Sequence, residues 1–478
     1  MLPGVHLSNN GAFVSFRIPL HRSSVRAWLV LACLSLLQFF IAVDVTVVNV
    51  ALPSIGAEFG AAEHQLTWVV VAYTITGGGL LMLGGRLGDM FGRRRVLLIG
   101  TAIFGAASLL AGIAWSFPVL VAARLLQGVG EALALPAAMA VIVMLFPEGP
   151  GRSRALSVWA AVASCGLVLG FVLSGVITEF LGWRWVFLVA IPFVFFVLVA
   201  TRFLLPAGRT QKRSPLDLRG AVLLTATPLL FVFGVVEAGS GTHPLIWVTA
   251  LAASFASGAL FIAFERRAAH PLVPMAFFRN RARVMANVAT ALLSAALSTS
   301  FLLFTFYLQE RLGLSPLSTG LTLVPLAVSL VIAATFVPRL LDRWGARVCI
   351  LAGLVFTAIA MVAIAIVVYL HAPAPAMIPA MILVAAGMGF GLVGLQYAAV
   401  SGVTEHDAGI ASGVQRASDQ LGGSTGIALY VGIGFAPMFA ADTPYLISSV
   451  LAIIGLIAAG VFASRIELPS TRRPRTTS

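Results

Sequence analysis

The chain has 478 residues, of which 60% are hydrophobic and only 10% charged, and its mean hydropathy is +1.02. A soluble domain carries roughly 25% charged residues, so this composition excludes one. The net charge of +13 would suggest nucleic acid in a soluble protein. Here the arginines fall in short connections between apolar runs, where they report membrane topology and no nucleic-acid partner.

About 20 apolar residues are needed to cross the hydrocarbon of a bilayer as a helix. The predicted spans are 27–50, 66–87, 96–114, 119–145, 155–178, 185–205, 218–236, 245–264, 284–309, 317–340, 347–370, 377–402, 408–436 and 444–464. The fold class is therefore an all-α polytopic membrane protein of about fourteen helices. The first run is too long for a signal-peptide core and lacks a cleavage site, so it counts as a span. Gly239–Gly241 and Pro244 mark a hairpin turn between spans seven and eight.

Arginine sets the orientation. Arg17, Arg22, Arg26, Arg93–Arg95, Arg152, Arg154, Arg209, Lys212, Arg213, Arg266, Arg267, Arg279–Arg283, Arg343, Arg347 and Arg472–Arg475 fall on one side, and Arg184 and Arg311 on the other. The basic side is cytoplasmic by the positive-inside rule, with both termini there and the protein multi-pass in the inner membrane.

Gly84–Arg95, GGRLGDMFGRRR, is the densest knot of charge, and it joins spans two and three. It recurs weakly as RLLDRWGARV at Arg339–Val348, aligning Asp89 with Asp342 and Gly92 with Gly345. Each copy follows the second span of a six-span set. The expected plan is a cytoplasmic segment 1–26, a six-helix bundle 27–205, two extra helices 218–264, a duplicated bundle 284–464 and a tail 465–478. Duplicated halves with a central site are a transporter plan.

Asp89 ends a span, and a carboxylate at a helix C-terminus opposes the macrodipole and needs another partner. Arg93, Arg94 or the start of a helix in the other half can supply it. The last would make a cytoplasmic latch between halves, with Asp342 and Arg343 as a weaker copy.

Ionisable groups at membrane depth cost at least about 2.5–3.5 kcal/mol and are functional candidates by default. They are Asp44, Arg124 and Glu131, with Arg416 and Asp419 in span thirteen. Counted from span ends at Val50 and Val119, Asp44 and Arg124 lie at matching depths of roughly 8–9 Å, which predicts an ion pair across a cavity. Glu131 is seven residues, or two turns, past Arg124 on the same face. Burial favours the neutral form of a carboxyl and a guanidinium favours the charged form, which makes Glu131 the proton carrier and keeps Asp44 ionised. A structural role for the pair, with Glu131 bonded to a neighbouring helix, stays open. Arg416 and Asp419 are three apart, the spacing of an intrahelical pair.

The three cysteines, Cys33, Cys165 and Cys349, have no CxxC spacing, and no metal-ligand set, nucleophile motif or P-loop occurs. The chain reads as neither enzyme nor ATPase, with no cofactor, so its energy must come from a gradient. One proton crossing about 100 mV supplies about 2.3 kcal/mol, enough for roughly a fortyfold cargo gradient.

Four further stretches, with the basic loop, carry a family resemblance. The loop residues are Gly85, Leu87, Gly88, Asp89, Gly92, Arg93 and Arg94. The first span carries Asp44, Thr46, Asn49 and Pro53, and the fourth carries Arg124, Gln127, Gly128, Gly130 and Pro136. Trp183-Arg184-Trp185 and Gly422-Gly423-Ser424 add to these. Together they resemble the major facilitator superfamily, and within it the fourteen-span drug:H+ antiporters of the EmrB/QacA type. The resemblance implies alternating-access efflux of drugs or amphipathic cations in exchange for protons by a functional monomer. It also implies fifth-helix glycines at Gly166, Gly170 and Gly175, although Phe171 and Ser174 replace a proline and a glycine usual there. Glu131 stands where that family's fourth helix usually has a small residue. A dedicated exporter or uniporter of one metabolite is the alternative, and an enzyme or sensor on the same scaffold a more distant one.

Overall fold

The structure, a computed structural model, describes residues 20–147, 149–205, 217–239, 244–268, 271, 277, 279–401, 408–435 and 443–466. The first set of helices is α1 (Leu20–Phe59), α2 (Glu63–Phe91), α3 (Arg93–Gly112), α4 (Phe117–Leu145), α5 (Pro150–Leu181), α6 (Arg184–Leu188) and α7 (Ala190–Leu204). Then come α8 (Leu218–Gly239) and α9 (Pro244–Glu265). The second set is α10 (Arg281–Phe306), extended by a π turn at Tyr307–Arg311, α11 (Pro316–Thr322), α12 (Val324–Trp344), α13 (Ala346–Tyr369), α14 (Ile378–Val400), α15 (Ala408–Gly426), α16 (Gly432–Gly434) and α17 (Pro444–Ser464). The pairs α6/α7 and α11/α12 each make one broken crossing.

Thirteen helices among the described residues are long and apolar enough to cross a membrane. The fourteenth crossing, α15 continued by a π turn at Ile427–Val431 and α16, is more polar, with Gln415, Arg416, Ser418, Asp419, Gln420 and Ser424. Several helices run past the bounds expected, α1 and α5 among them. Helix α1 starts at Leu20 and runs through Pro53 to Phe59, so it exceeds 27–50 at both ends. Helix α5 likewise exceeds 155–178. Apolar length marks only the part of a helix inside hydrocarbon, and both helices continue beyond it. Most of the segments 1–26 and 465–478 lies outside the described residues, with Arg17, Arg209, Lys212, Arg213 and Arg472–Arg475.

The two basic loops share a backbone solution. Gly92 (φ +95°) separates α2 from α3, and Gly345 (φ +81°) separates α12 from α13. A side chain is strained at such angles, so a single glycine lets one helix stop and the next start at once.

Packing is densest inside each set. Helix α1 lies on α5, α2 on α4, and α3 on α4 and α7; α10 lies on α15 and α17, α13 on α14 and α17, and α12 on α14. The sets meet where α2 runs along α15 and where α5 meets α11 and α12. Helix α8 packs on α9, but also on α2, α15 and α16, and so covers the α2–α15 seam. Large apolar side chains such as Phe195, Phe203 and Trp115 face outward, as a lipid-facing surface requires.

The end of the bundle away from the termini is termed distal. One continuous apolar core joins distal parts of the first set, including Val47, Leu52, Val71, Phe171 and Ile177, to the second set. The proximal part of the first set has its own core, with Leu34, Phe104, Ile142 and Trp159. Distal contacts across the sets include Gln309 Nε2 donating to the Val50 carbonyl at 2.8 Å and the Leu317 amide donating to Glu179 at 3.4 Å. Inside the first set, Arg184 pairs with Glu58 at 2.6 Å and the Trp183 indole donates to the same carboxylate.

Gly175 of α5 meets α11 so closely that a Cβ would lie 2.7 Å from the Pro316 carbonyl and 3.2 Å from Leu317 Cα. No side chain fits there without moving the backbone of α11, so Gly175→Val should weaken the contact between the sets and lower the thermal midpoint of the detergent-purified protein by several degrees.

A central cavity and its charged walls

Arg124 of α4 is 1% exposed and fully coordinated. Its Nη1 lies 2.5 Å from Asp44 Oδ2 of α1 and donates to Gln127 Oε1 at 2.8 Å, while Nε donates to the Val69 carbonyl at 2.8 Å. Gln127 Nε2 donates to Asp44 Oδ1 at 3.3 Å and to Ser108 at 2.9 Å. The guanidinium stacks over the Tyr73 ring at 4.4 Å. A buried charge is tolerated only when it is paired and hydrogen-bonded in this way.

This pair ties α1 to α4 inside one set. It was expected to span a cavity, and it does not: Asp44, Arg124 and Gln127 lie in the packed core behind the cavity wall. The depth estimate that matched them also placed the end of α1 at Val50, nine residues before the observed end at Phe59. Arg124 reaches Asp44 through the length of its own side chain.

The cavity lies between the two sets and has a volume of about 280 Å³. Its first-set wall includes Gln38, Thr46 and Asn49 of α1, Thr74 of α2, Glu131 of α4 and Phe171 of α5. The facing wall includes Ser294 and Phe301 of α10, Met388 of α14, and Arg416, Asp419, Gln420 and Ser424 of α15. Most of the lining is apolar, with neutral Ser, Thr, Asn and Gln side chains set among the charged ones, and a census of charged residues alone overlooks them. The polarity of span thirteen is the signal that could have found them.

Glu131 is completely buried. Its Oε1 accepts a hydrogen bond from Gln420 Nε2 of the other set at 3.0 Å. Its Oε2 faces the Tyr73 hydroxyl, and neither atom closes an aligned hydrogen bond. Nearby, the hydroxyls of Thr74 and Ser424 meet at 2.5 Å, so α15 is joined by polar contacts to both α4 and α2 across the seam. The intrahelical pair expected between Arg416 and Asp419 is not formed. Asp419 instead accepts a hydrogen bond from Ser294 of α10 at 2.5 Å. The side chain at 419 faces α10, and Arg416 points into the cavity.

The motif residues fall into place around this frame. Thr46 and Asn49 bond to carbonyls of their own helix, and Pro53 lies in the distal part of α1. Gly128 faces α2 and Gly130 faces α3, Gly85 faces α4, and Gly166 and Gly170 face α1. Ser174 bonds the Val47 carbonyl, and Phe171 meets Phe301 of the other set with ring centroids 5.6 Å apart. In the basic loop, Asp89 pairs with Arg93 at 3.0 Å, Arg93 also reaches the Ala140 carbonyl, and Arg94 reaches the Arg202 carbonyl at 2.6 Å. These contacts tie α2, α3, α4 and α7 together within one set, so among the described residues Asp89 does not bridge the halves. Arg343 is exposed. The side chain of Asp342 lies outside the described residues.

A helical bundle wrapped around a largely apolar cavity with a few charged and polar groups, at the seam of two sets, is the architecture of a membrane transporter. The Major Facilitator Superfamily model matches residues 34–427, and the chain belongs to that superfamily. It is 51% identical over 434 residues to the lincomycin resistance protein of Streptomyces lincolnensis, covering 90% of each chain. It is 35% identical to the puromycin resistance protein pur8 of Streptomyces alboniger, over 87% of this chain and 84% of that one. It is 33% identical to the multidrug efflux pump LfrA of Mycolicibacterium smegmatis, over 85% and 81%. In fold it is similar to the peptide transporter POT in complex with sulfate, with a TM-score of 0.69 at 16% identity over 91% of this chain and 94% of that one. The nucleoside transporter NupG is also similar, with a TM-score of 0.67 at 12% identity over 91% and 99%.

Removing one partner of a buried ion pair leaves an uncompensated charge and costs about 3–5 kcal/mol. Arg124→Ala should therefore lower the thermal midpoint of the detergent-purified protein sharply. Adding Asp44→Asn should recover part of the loss.

Proposed function

We propose that this chain is a secondary transporter that exports antibiotics or other amphipathic, often cationic, small molecules in exchange for protons. Its relatives in antibiotic resistance and multidrug efflux support the cargo class. The working parts are two six-helix halves, 27–205 and 284–464, with 218–264 as accessory helices. The proximal end, which bears the arginine-rich loops and both termini, faces the cytoplasm. The unit of function is a monomer in the inner membrane.

One observation carries the coupling: the buried carboxyl of Glu131 is hydrogen-bonded across the seam by Gln420 of the other half. A hydrogen bond to a carboxylate is roughly twice as strong as one between neutral groups. A proton on Glu131 removes that charge assistance, and a cationic cargo competes for the same oxygen. Either event loosens the tie between α4 and α15. Proton, cargo and the contact between halves thus compete at one group, which is the requirement for exchange by alternating access. Asp44 and Arg124 act as a fixed brace that holds α4 against α1. Gln127 completes that brace, and the glycines of α4 and α5 set the close packing around it.

A dedicated exporter of one compound is the second reading. It is favoured by Phe171, which stands where related antiporters usually have a proline and closes on Phe301. Transport of a chemically varied panel separates the two.

Glu131→Gln keeps the side-chain shape and a partner for Gln420 but cannot ionise. In proteoliposomes with an imposed pH gradient, it should insert at wild-type levels and lose gradient-driven accumulation of lincomycin and ethidium. Undiminished accumulation would sink the assignment.

A further inference from the structure

The cavity holds three ionisable side chains, and none is neutralised by direct contact. Glu131 is held by the neutral amide of Gln420 and keeps Oε2 without a hydrogen bond. Asp419 is held by the neutral hydroxyl of Ser294. Arg416 lines the cavity with its side chain exposed, and it makes no hydrogen bond or ion pair with any described residue. Its guanidinium nevertheless acts electrostatically on both Glu131 and Asp419. The neighbouring Asp44–Arg124 pair is neutral as a unit and lies behind the wall.

A guanidinium stays protonated throughout the working range of a protein, so Arg416 is a fixed positive charge. With both carboxyls ionised the cavity carries one net negative charge. With both protonated it carries one net positive charge. Uncompensated charge is costly away from water, so the neutral state is favoured. That state holds one carboxylate balanced by Arg416 and the other balanced by one proton or one organic cation. Without Arg416, two carboxylates would remain to be balanced.

We propose that Arg416 sets the charge of the cargo: the cavity takes one monovalent organic cation in place of one proton, and loss of Arg416 turns it into a site for divalent cations. This rests on the proton-exchange reading above for its transport part, while its charge count also applies to simple binding.

The test uses ethidium, with one positive charge, and propidium, a related dye with two. Equilibrium binding to the purified full chain and pH-driven uptake into inverted vesicles are both measured. Wild type should favour ethidium by roughly tenfold or more, and Arg416→Gln should reverse the preference by a similar factor. Arg416→Lys should keep the wild-type ratio. Asp419→Asn should weaken ethidium binding about tenfold, because Glu131 is then balanced by Arg416 alone. The double variant Arg416→Gln/Asp419→Asn should return to the ethidium preference, a rescue that a structural role for either residue does not produce.

An unchanged ratio in Arg416→Gln overturns the proposal, as does a double variant without the rescue. Should Arg416→Gln fail to fold, unchanged ethidium binding in Asp419→Asn overturns it equally. A wild type that binds the dyes as described but does not respond to a pH gradient overturns the proton-exchange reading and leaves the charge count standing.

Discussion

A helix as polar as α15 cannot face hydrocarbon, and the rest of the bundle is arranged around that constraint. Gln415, Arg416, Ser418, Asp419, Gln420 and Ser424 fall within ten residues. Each would cost free energy against lipid, where no water satisfies its hydrogen bonds. The solution is to enclose the helix: α10 lies on one side, α2 of the other set on another, and α8 covers the seam between them. The helices with large exposed apolar faces, such as α7, α9 and α13, stand between this interior and the membrane. The two extra helices are thus part of the same enclosure, since α8 touches both halves where the polar helix would otherwise approach lipid.

The two kinds of buried charge serve different ends. Arg124 is held from several sides, by a carboxylate, an amide, a carbonyl and an aromatic face. A group so completely coordinated has one arrangement and resists change. The cavity charges are the reverse. Glu131 and Asp419 each accept one hydrogen bond, from a neutral group, and Arg416 has open space. Incomplete coordination leaves several arrangements close in energy, and a site that must bind and release needs such alternatives.

The span count, the family and the buried charges could be read in the sequence because each depends on a short-range pattern. Apolar length identifies crossings, and a glycine closely followed by arginine identifies a tight turn between helices such as those at Gly92 and Gly345. The ion pair of Asp44 and Arg124 was legible because few charges lie at membrane depth and each must find an opposite one. What could not be read depends on which way a helix is turned. Asp419 and Arg416 have the spacing of a pair, but rotation of α15 directs one to Ser294 and the other to open space. Gln420 and Ser424 look like ordinary polar residues until α15 is placed against α2 and α4. The basic loop suggested a bridge between halves, and its pairing instead stays local because Arg93 lies one turn from Asp89 and reaches it first.

The shared distal core has an energetic consequence for the cycle. The halves are joined there by apolar packing of residues such as Val47, Leu52, Phe171 and Phe304, each almost inaccessible. Separating that surface into water costs about 25 cal/mol for each Å² exposed. At the proximal end the halves meet through a smaller apolar cluster, in which Met82 of α2 packs against Ala411 and Val414 of α15. The distal contact is the larger of the two, so opening the distal face exposes more apolar surface than opening the proximal one.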